Sequence, residues 1–147
     1  MMIRSARLPM LALALVALMP TACKRESTSA QVPPVSSPSM FRVTTVELGK
    51  AVDPGKRVTA PATSFAPSDT IYASIVSDGA SPQVSLSTRW TYEDGQVVDE
   101  STQVIAPAGP AATEFHIAKP DGWPTGKYKL EVTANGAPVA TKEFTVQ

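Results

Sequence analysis

The sequence of 147 residues has little of what most catalytic and metal-binding proteins require. It contains one cysteine and one histidine, which excludes an internal disulfide, a thiolate metal cage and a two-histidine metal site. A single histidine also leaves little for general acid–base catalysis. The 13 basic residues are balanced by 13 acidic ones, so no basic surface for nucleic acid is expected. This composition favours a small binding or structural module with no metal, cofactor or catalytic site.

Residues 1–22 have the features of a signal peptide. Arg4 and Arg7 precede an apolar run from Leu11 to Met19 (LALALVALM), which is shorter than the roughly 20 residues that span a bilayer. A basic start, a short apolar region and small residues after it are typical of secretory signal peptides. We therefore expect this segment to direct export.

The residues after the apolar run resemble the lipobox of bacterial lipoproteins. The run Met19-Pro20-Thr21-Ala22-Cys23 places a small residue directly before the single cysteine, while Pro20 stands where that family usually has leucine. The resemblance implies cleavage before Cys23 and lipidation of that residue, and two or three acyl chains give stable membrane anchoring. By the sorting habits of the family, Lys24 implies the outer membrane, facing the periplasm.

A second cleavage site stays open as an alternative. Cleavage after Thr28-Ser29-Ala30 would discard Cys23 and release a soluble secreted domain. In the lipoprotein interpretation, residues 23–39 are the lipidated cysteine and a flexible tether rich in Ser and Pro, which is too polar to form a core. The stretch KRESTSAQVPPVSSPS would reach at most roughly 50 Å, at about 3.3 Å per residue.

From residue 40 to 147, short alternating runs of polar and apolar residues are separated by Gly, Pro, Asp and Asn. The alternation is clearest in Val84 to Glu93 (VSLSTRWTYE), and Asp94-Gly95 and Asn135-Gly136 are hairpin signals. No long apolar pattern of helical period is present, and seven to eight short strands predict an all-β, antiparallel β-sandwich without a disulfide. The predicted strands are 41–48, 70–77, 84–93, 96–105, 113–118, 127–133 and 139–146, with an edge strand within 57–65 that Pro61 disfavours.

Two of these strands resemble strands of immunoglobulin-like domains. Trp90 lies in the middle of its strand, and Gly126-Lys127-Tyr128-Lys129-Leu130 is similar to the start of strand F. The resemblance implies that Tyr128 forms a tyrosine corner, with its hydroxyl bonded back to the backbone, and that Trp90 and Leu130 are core residues. Because neither of the two disulfide cysteines of antibody domains is present, the resemblance is to bacterial immunoglobulin-like modules.

Two polar features have simpler explanations than catalysis or metal binding. His116 alternates with two apolar residues that point inward, so it is expected on the solvent face, and no nucleophile can be tied to it by spacing. The acidic residues around the first hairpin lack the dense spacing of a calcium loop and are expected to be a solvated tip. They are Glu93, Asp94, Asp99 and Glu100.

Trp123, Lys127 and Lys129 are candidates for contact with a partner. Trp123 lies in a loop and could anchor an interface, or its ring could close the core beside the tyrosine corner. Lys127 and Lys129 alternate with buried positions, so they form either part of an electrostatic contact or a charged solvent face that discourages edge pairing.

These features predict a lipid-anchored protein of the cell envelope that acts as a non-catalytic protein-interaction module. Its expected partners are the membrane, through the lipid on Cys23, and another envelope protein, through end loops or strand addition. The alternative is a carbohydrate- or ligand-binding accessory domain. That alternative requires exposed aromatic residues lined up on one face, for which Trp123 and one or two tyrosines are available.

Overall fold

The structure is a computed structural model that describes residues 40–147; the predicted signal peptide, Cys23 and the tether lie outside the described residues. Eight β-strands are present, and this part of the chain contains no helix, so the predicted all-β class is confirmed. The strands are β1 (Arg42–Gly49), β2 (Ser64–Phe65), β3 (Ile71–Asp78), β4 (Val84–Tyr92), β5 (Gln96–Ile105), β6 (Ala111–Ile117), β7 (Gly126–Ala134) and β8 (Ala137–Val146).

The strands form an immunoglobulin-like sandwich of two sheets. One sheet has the order β1-β3-β6 and the other β2-β8-β7-β4-β5. Neighbouring strands are antiparallel except β2, which pairs in parallel with β8. The predicted edge strand within 57–65 is reduced to the two residues of β2. Pro61 makes only an isolated bridge with Gly49, because proline has no N–H to give to a longer ladder.

The core lies between the two sheets and is formed by the apolar residues of each alternating strand. Trp90, Tyr128 and Leu130 are buried in it. Phe144 organises the aromatic part of the core, with its ring 5.9 Å from that of Trp90 and stacked 5.2 Å from that of Tyr128. Burying these large side chains supplies the main favourable free energy of folding.

The sandwich has two distinct ends. At the end where the chain enters, Met40 pairs with Ala80, which in turn pairs with Ala108. We call this the proximal end. The opposite, distal end holds the β4–β5 turn and the loop before β7, where the backbone N–H of Trp123 donates to the carbonyl of Pro67 at 2.8 Å. The candidate site begins at the distal end.

Candidate functional site

Strand β5 is a long edge strand with one side of its backbone unpaired. It ends the order β2-β8-β7-β4-β5 and has 10 residues, against 8 in β1, 7 in β6 and 2 in β2, the other strands at sheet edges. Edge strands carry backbone donors and acceptors that can pair with another chain. Strand β2 pairs only with Thr145 and Val146 of β8, so the first eight residues of β8 also form an open edge. With ten residues, β5 is the longest open edge in the part of the chain that the structure describes.

The hydrogen bonds of β4 show which groups of β5 point outward. Glu93 N–H donates to Lys127 O, and Asn135 N–H donates to Ser85 O, both at 2.8 Å. Odd-numbered residues of β4 therefore bond to β7, and even-numbered residues bond to β5, because backbone direction alternates along a strand.

The same alternation on β5 leaves four residues with backbone N–H and C=O groups directed away from β4. The register pairs Trp90 with Asp99 and shifts between Trp90 and Thr91 at a β-bulge. Within residues 40–147, no backbone partner covers the outward groups. The four residues are Val97, Glu100, Thr102 and Val104.

The side chains of these four residues are exposed on the outer face of the large sheet. Val97 is 42% exposed and Val104 is 64% exposed. Between them, Thr102 exchanges a hydrogen bond of 2.8 Å with Ser87, and Glu100 forms an ion pair of 3.3 Å with Arg89. The edge therefore combines exposed aliphatic groups, a free backbone and one acidic side chain.

One backbone group at the neighbouring edge of the small sheet is already bonded. The side-chain amide of Gln103 in β5 donates to the carbonyl of Glu114 in β6 at 2.7 Å. This bond covers a backbone group of β6, since an edge carbonyl that already accepts a hydrogen bond is less free to pair with another strand. β5 itself has no such cover on its outward side within the described residues.

A pocket of about 240 Å³ beside the start of β5 has aromatic side chains in its walls, whereas a pocket of about 290 Å³ along β1 has none. Tyr92 from β4 and Trp123 from the distal loop form much of it, and Lys119 stands at the same site. The pocket adjoins the free edge because Val97 and Val98 of β5 also line it. Gln96 and Pro124 complete the wall, which presents both polar and apolar surface.

The ring of Trp123 is held in the core of the distal end. The residue is only 6% exposed, its indole Nε1 donates to the carbonyl of Asp69 at 3.1 Å, and its ring packs edge-on against Tyr128 at 6.3 Å. This burial corresponds to a ring that closes the core and not to a free loop anchor. Trp123 can meet a partner only through the part of the ring that lines the pocket.

Tyr128 has the hydrogen bond that defines a tyrosine corner. Its hydroxyl donates to the carbonyl of Pro124, four residues upstream, at 2.8 Å. Burial raises the pKa of the Tyr128 hydroxyl above its usual value, and the nearby Tyr92 and Glu93 add to the increase. Tyr128 therefore holds the distal loop, including one wall of the pocket, onto β7.

The two candidate lysines of β7 lie on the outer face of the large sheet, away from the free edge. Lys129 forms an ion pair of 3.1 Å with Glu131 on its own strand. The side chain of Lys127 lies with Glu93, Asp94 and Glu143 along an open groove of about 790 Å³. The charges in this groove have both signs, so it has no preference for an anionic or a cationic ligand.

His116 lies on the exposed face of the small sheet. Its Nδ1 is 2.6 Å from Oε1 of Glu114, and its ring is 5.4 Å from that of Tyr72. No three His, Cys, Asp or Glu side chains within residues 40–147 are grouped closely enough to hold a metal ion. The acidic residues of the hairpin do not form one shared site. Asp99, for example, accepts a hydrogen bond of 2.9 Å from Ser101.

Sequence reasoning missed the parts of the site that depend on sheet order. Val97 and Val104 are apolar residues on the outer face of a strand whose polarity pattern is otherwise weak. The signal in the sequence is an apolar residue at two outer-face positions of the strand, but nothing in the sequence places β5 at an edge. Lys119 and Pro124 join the pocket only because the distal loop folds back against β5.

No protein-family model and no curated protein matches this sequence. An immunoglobulin-like protein from Pseudomonas aeruginosa has a similar structure, with a TM-score of 0.52 at 16% identity over 74% of this chain and 98% of that chain. A β-glucosidase from Erythrobacter marinus gives a TM-score of 0.52 at 8% identity over 74% of this chain and 15% of that chain.

An alkylpurine DNA glycosylase from Pseudomonas fluorescens, bound to DNA containing an abasic site analog, gives a TM-score of 0.46 at 13% identity. The match covers 73% of this chain and 30% of the glycosylase, so this chain spans less than a third of the length of either enzyme. At these identities, the similarity to the Pseudomonas aeruginosa protein shows the immunoglobulin-like fold alone.

Proposed function

We propose that this protein is a non-catalytic interaction module of the bacterial cell envelope, anchored by lipid on Cys23. The observation that carries the proposal is the ten-residue edge strand β5, with its outward backbone unpaired among the described residues and Val97 and Val104 exposed. Strand addition to such an edge supplies affinity through main-chain hydrogen bonds.

The anchor follows from the lipobox resemblance at Cys23. The mature chain begins at this cysteine, is held in the outer membrane facing the periplasm, and carries the domain on the tether of residues 24–39. The described chain begins at the proximal end, and the distal loops and the start of β5 lie at the other end of the domain.

The mass of the mature protein extracted in detergent tests the anchor. We expect a mass that begins at Cys23 and includes two or three acyl chains. The variant Cys23→Ser should lose the lipid and the membrane association. A mature chain that begins near Gln31 without lipid would contradict the anchor and make the protein a soluble secreted domain.

A protein partner is favoured over a sugar by the position of the aromatic rings. All nine Phe, Trp and Tyr residues of the chain lie within residues 40–147, and each is buried or half-buried. A sheet face that binds a sugar presents exposed aromatic rings, and none of these nine residues is exposed. A catalytic role is likewise unsupported, because His116 contacts Glu114 and Tyr72 on an open sheet face.

Site-specific photo-cross-linking in the envelope tests the interaction surface. A photoreactive residue at Val97 or Val104 should give a cross-linked product, because both positions lie along the free edge. Val139 is a matched control, since it is 41% exposed, as Val97 is 42% exposed, but it lies on β8, which β7 and β4 separate from β5 in the large sheet. Equal products from all three positions, or none from β5, would contradict the assignment of this edge.

A further inference from the structure

We propose that β5 receives an extended, basic segment of a partner protein as an additional β-strand. A Lys or Arg of that segment lies opposite Glu100, and an apolar side chain enters the pocket at Tyr92 and Trp123. This inference rests on the proposed function and specifies the chemistry of the partner.

The backbone of β5 has the free groups that an added strand requires. Val97, Glu100, Thr102 and Val104 direct their N–H and C=O groups outward. An added strand in register with them pairs these groups without disturbing the ladder to β4. Its side chains then alternate between the outer face, beside Glu100, and the inner side, beside the pocket.

The charged side chains around β5 indicate which kind of segment can pair with it. Glu93, Asp94, Asp99 and Glu100 lie at or near the start of β5. They outnumber the nearby cations, which are Arg89 paired with Glu100, Lys119 at the pocket and Lys127 beside Glu93. The side chain of Glu100 is 61% exposed even with Arg89 beside it. Opposite charges on directly facing strand residues are stabilising, and like charges are destabilising.

The pocket decides where the segment is anchored. Val97 and Val98 belong both to β5 and to the pocket wall, so a strand paired with β5 passes the mouth of the pocket. Tyr92, Trp123 and Pro124 give this pocket an apolar part beside the polar side chains of Gln96 and Lys119. A volume of about 240 Å³ suits one side chain and not a large ligand. An aliphatic residue on the inner side of the added strand therefore supplies specificity.

The test uses three labelled peptides of ten residues with the full mature protein in detergent. The first alternates Lys and Val. The second has Glu in place of Lys, and the third is the first with alternate backbone nitrogens methylated. Fluorescence anisotropy should show binding of the basic peptide about tenfold tighter than that of the acidic or the methylated peptide.

Variants of the protein identify the surface. Val104→Pro should weaken the basic peptide about tenfold, because it removes an outward N–H that the fold itself does not use. Glu100→Gln should weaken it about threefold, whereas Glu143→Gln on β8 is the matched control and should leave it unchanged. Gln96→Trp, at an exposed position beside the pocket, should also weaken it.

Several results would overturn the inference. Equal affinity for the basic and methylated peptides would show charge attraction without strand pairing. An equal loss of affinity in Glu100→Gln and Glu143→Gln would show that Glu100 has no specific role. An unchanged affinity in Gln96→Trp would show that the pocket does not hold the peptide. Cross-linking at Val97 in cells separates this inference from the proposed function, because a specific cross-link without a preference for the basic peptide refutes only the partner chemistry.

Discussion

Replacing Tyr128 with phenylalanine removes a single hydroxyl group from a buried position and retains the aromatic ring. The hydroxyl donates to Pro124 O at 2.8 Å, and Tyr128 is only 3% exposed. The bond is partly buried although Pro124 itself is exposed, so water reaches the carbonyl only in part once the donor is lost. A net hydrogen bond contributes about 1 kcal/mol, and a buried unsatisfied group costs about 1–3 kcal/mol. Because the carbonyl is not fully buried, we expect Tyr128→Phe to lower the free energy of unfolding by about 1 kcal/mol.

Tyr92→Phe is the matched control for this prediction. Its hydroxyl donates to Thr125 O at 3.0 Å in the same loop, but Tyr92 is only half-buried, so water can replace the lost donor. We expect a loss of about 0.5 kcal/mol. Urea unfolding followed by circular dichroism measures both values. Equal losses in the two variants would refute the conclusion that Tyr128 holds the distal loop as a tyrosine corner.

The raised pKa of Tyr128 gives a second readout of the same interaction. Burial favours the neutral hydroxyl in the folded state, whereas the unfolded residue ionises near pH ~10. The stabilising contribution is therefore fully present below about pH 10 and is lost as the pH rises toward the pKa of the folded protein. Tyr128→Phe should lose stability less steeply above about pH 10 than the unsubstituted protein does, and parallel curves would contradict this explanation.

Three other predictions concern the stability of the domain. The hydrogen bond from Lys50, at 2.7 Å, and the Ala66 N–H lower the pKa of Asp69. The stability that Asp69 provides should be lost as the pH falls below about 4, and Asp69→Asn should flatten this decline in acid unfolding experiments. Gly126→Ala should cost about 2 kcal/mol in urea unfolding, because φ is +150° and a Cβ would lie 2.7 Å from Tyr92 Cε2; an unchanged midpoint would contradict the clash. Leu130→Ala should cost about 3 kcal/mol, since Leu130 is fully buried; a loss below about 1 kcal/mol would place it outside the core.

The strand bounds that were predicted most accurately are those of β5, where the predicted range 96–105 is the observed one, and of β4, predicted at 84–93 and observed at Val84–Tyr92. β4 combines strict alternation with the Asp94-Gly95 turn, and β7 is joined to β8 by the Asn135-Gly136 turn. Gly95, Asn135 and Gly136 adopt the positive φ values that such turns require. Local chemistry of this kind acts within a few residues, so it can be read directly from the sequence.

The loop containing Trp123 could not be assigned in the same way. Its indole donates to Asp69, which is 54 residues earlier in the chain. The side chain of Asp69 also binds the Ala66 N–H and Lys50, so one residue ties three segments of the distal end together. Neither an aromatic residue in a loop nor an aspartate in another loop shows from the sequence that the two are neighbours.

The position of β5 at the edge of the large sheet explains why its polarity alternates weakly. Its inner side meets the edge of the small sheet, where Gln103 donates to Glu114 O in β6. Three of its inward residues are the half-buried polar Asp99, Ser101 and Gln103, where β4 and β7 have fully buried apolar residues. Val98 and Ile105 are half-buried and pack against the core, so β5 buries less apolar surface than the central strands do. The fold therefore uses the middle of β5 less than the middle of β4 or β7, and the outward backbone there, unpaired among the described residues, is available to a second chain.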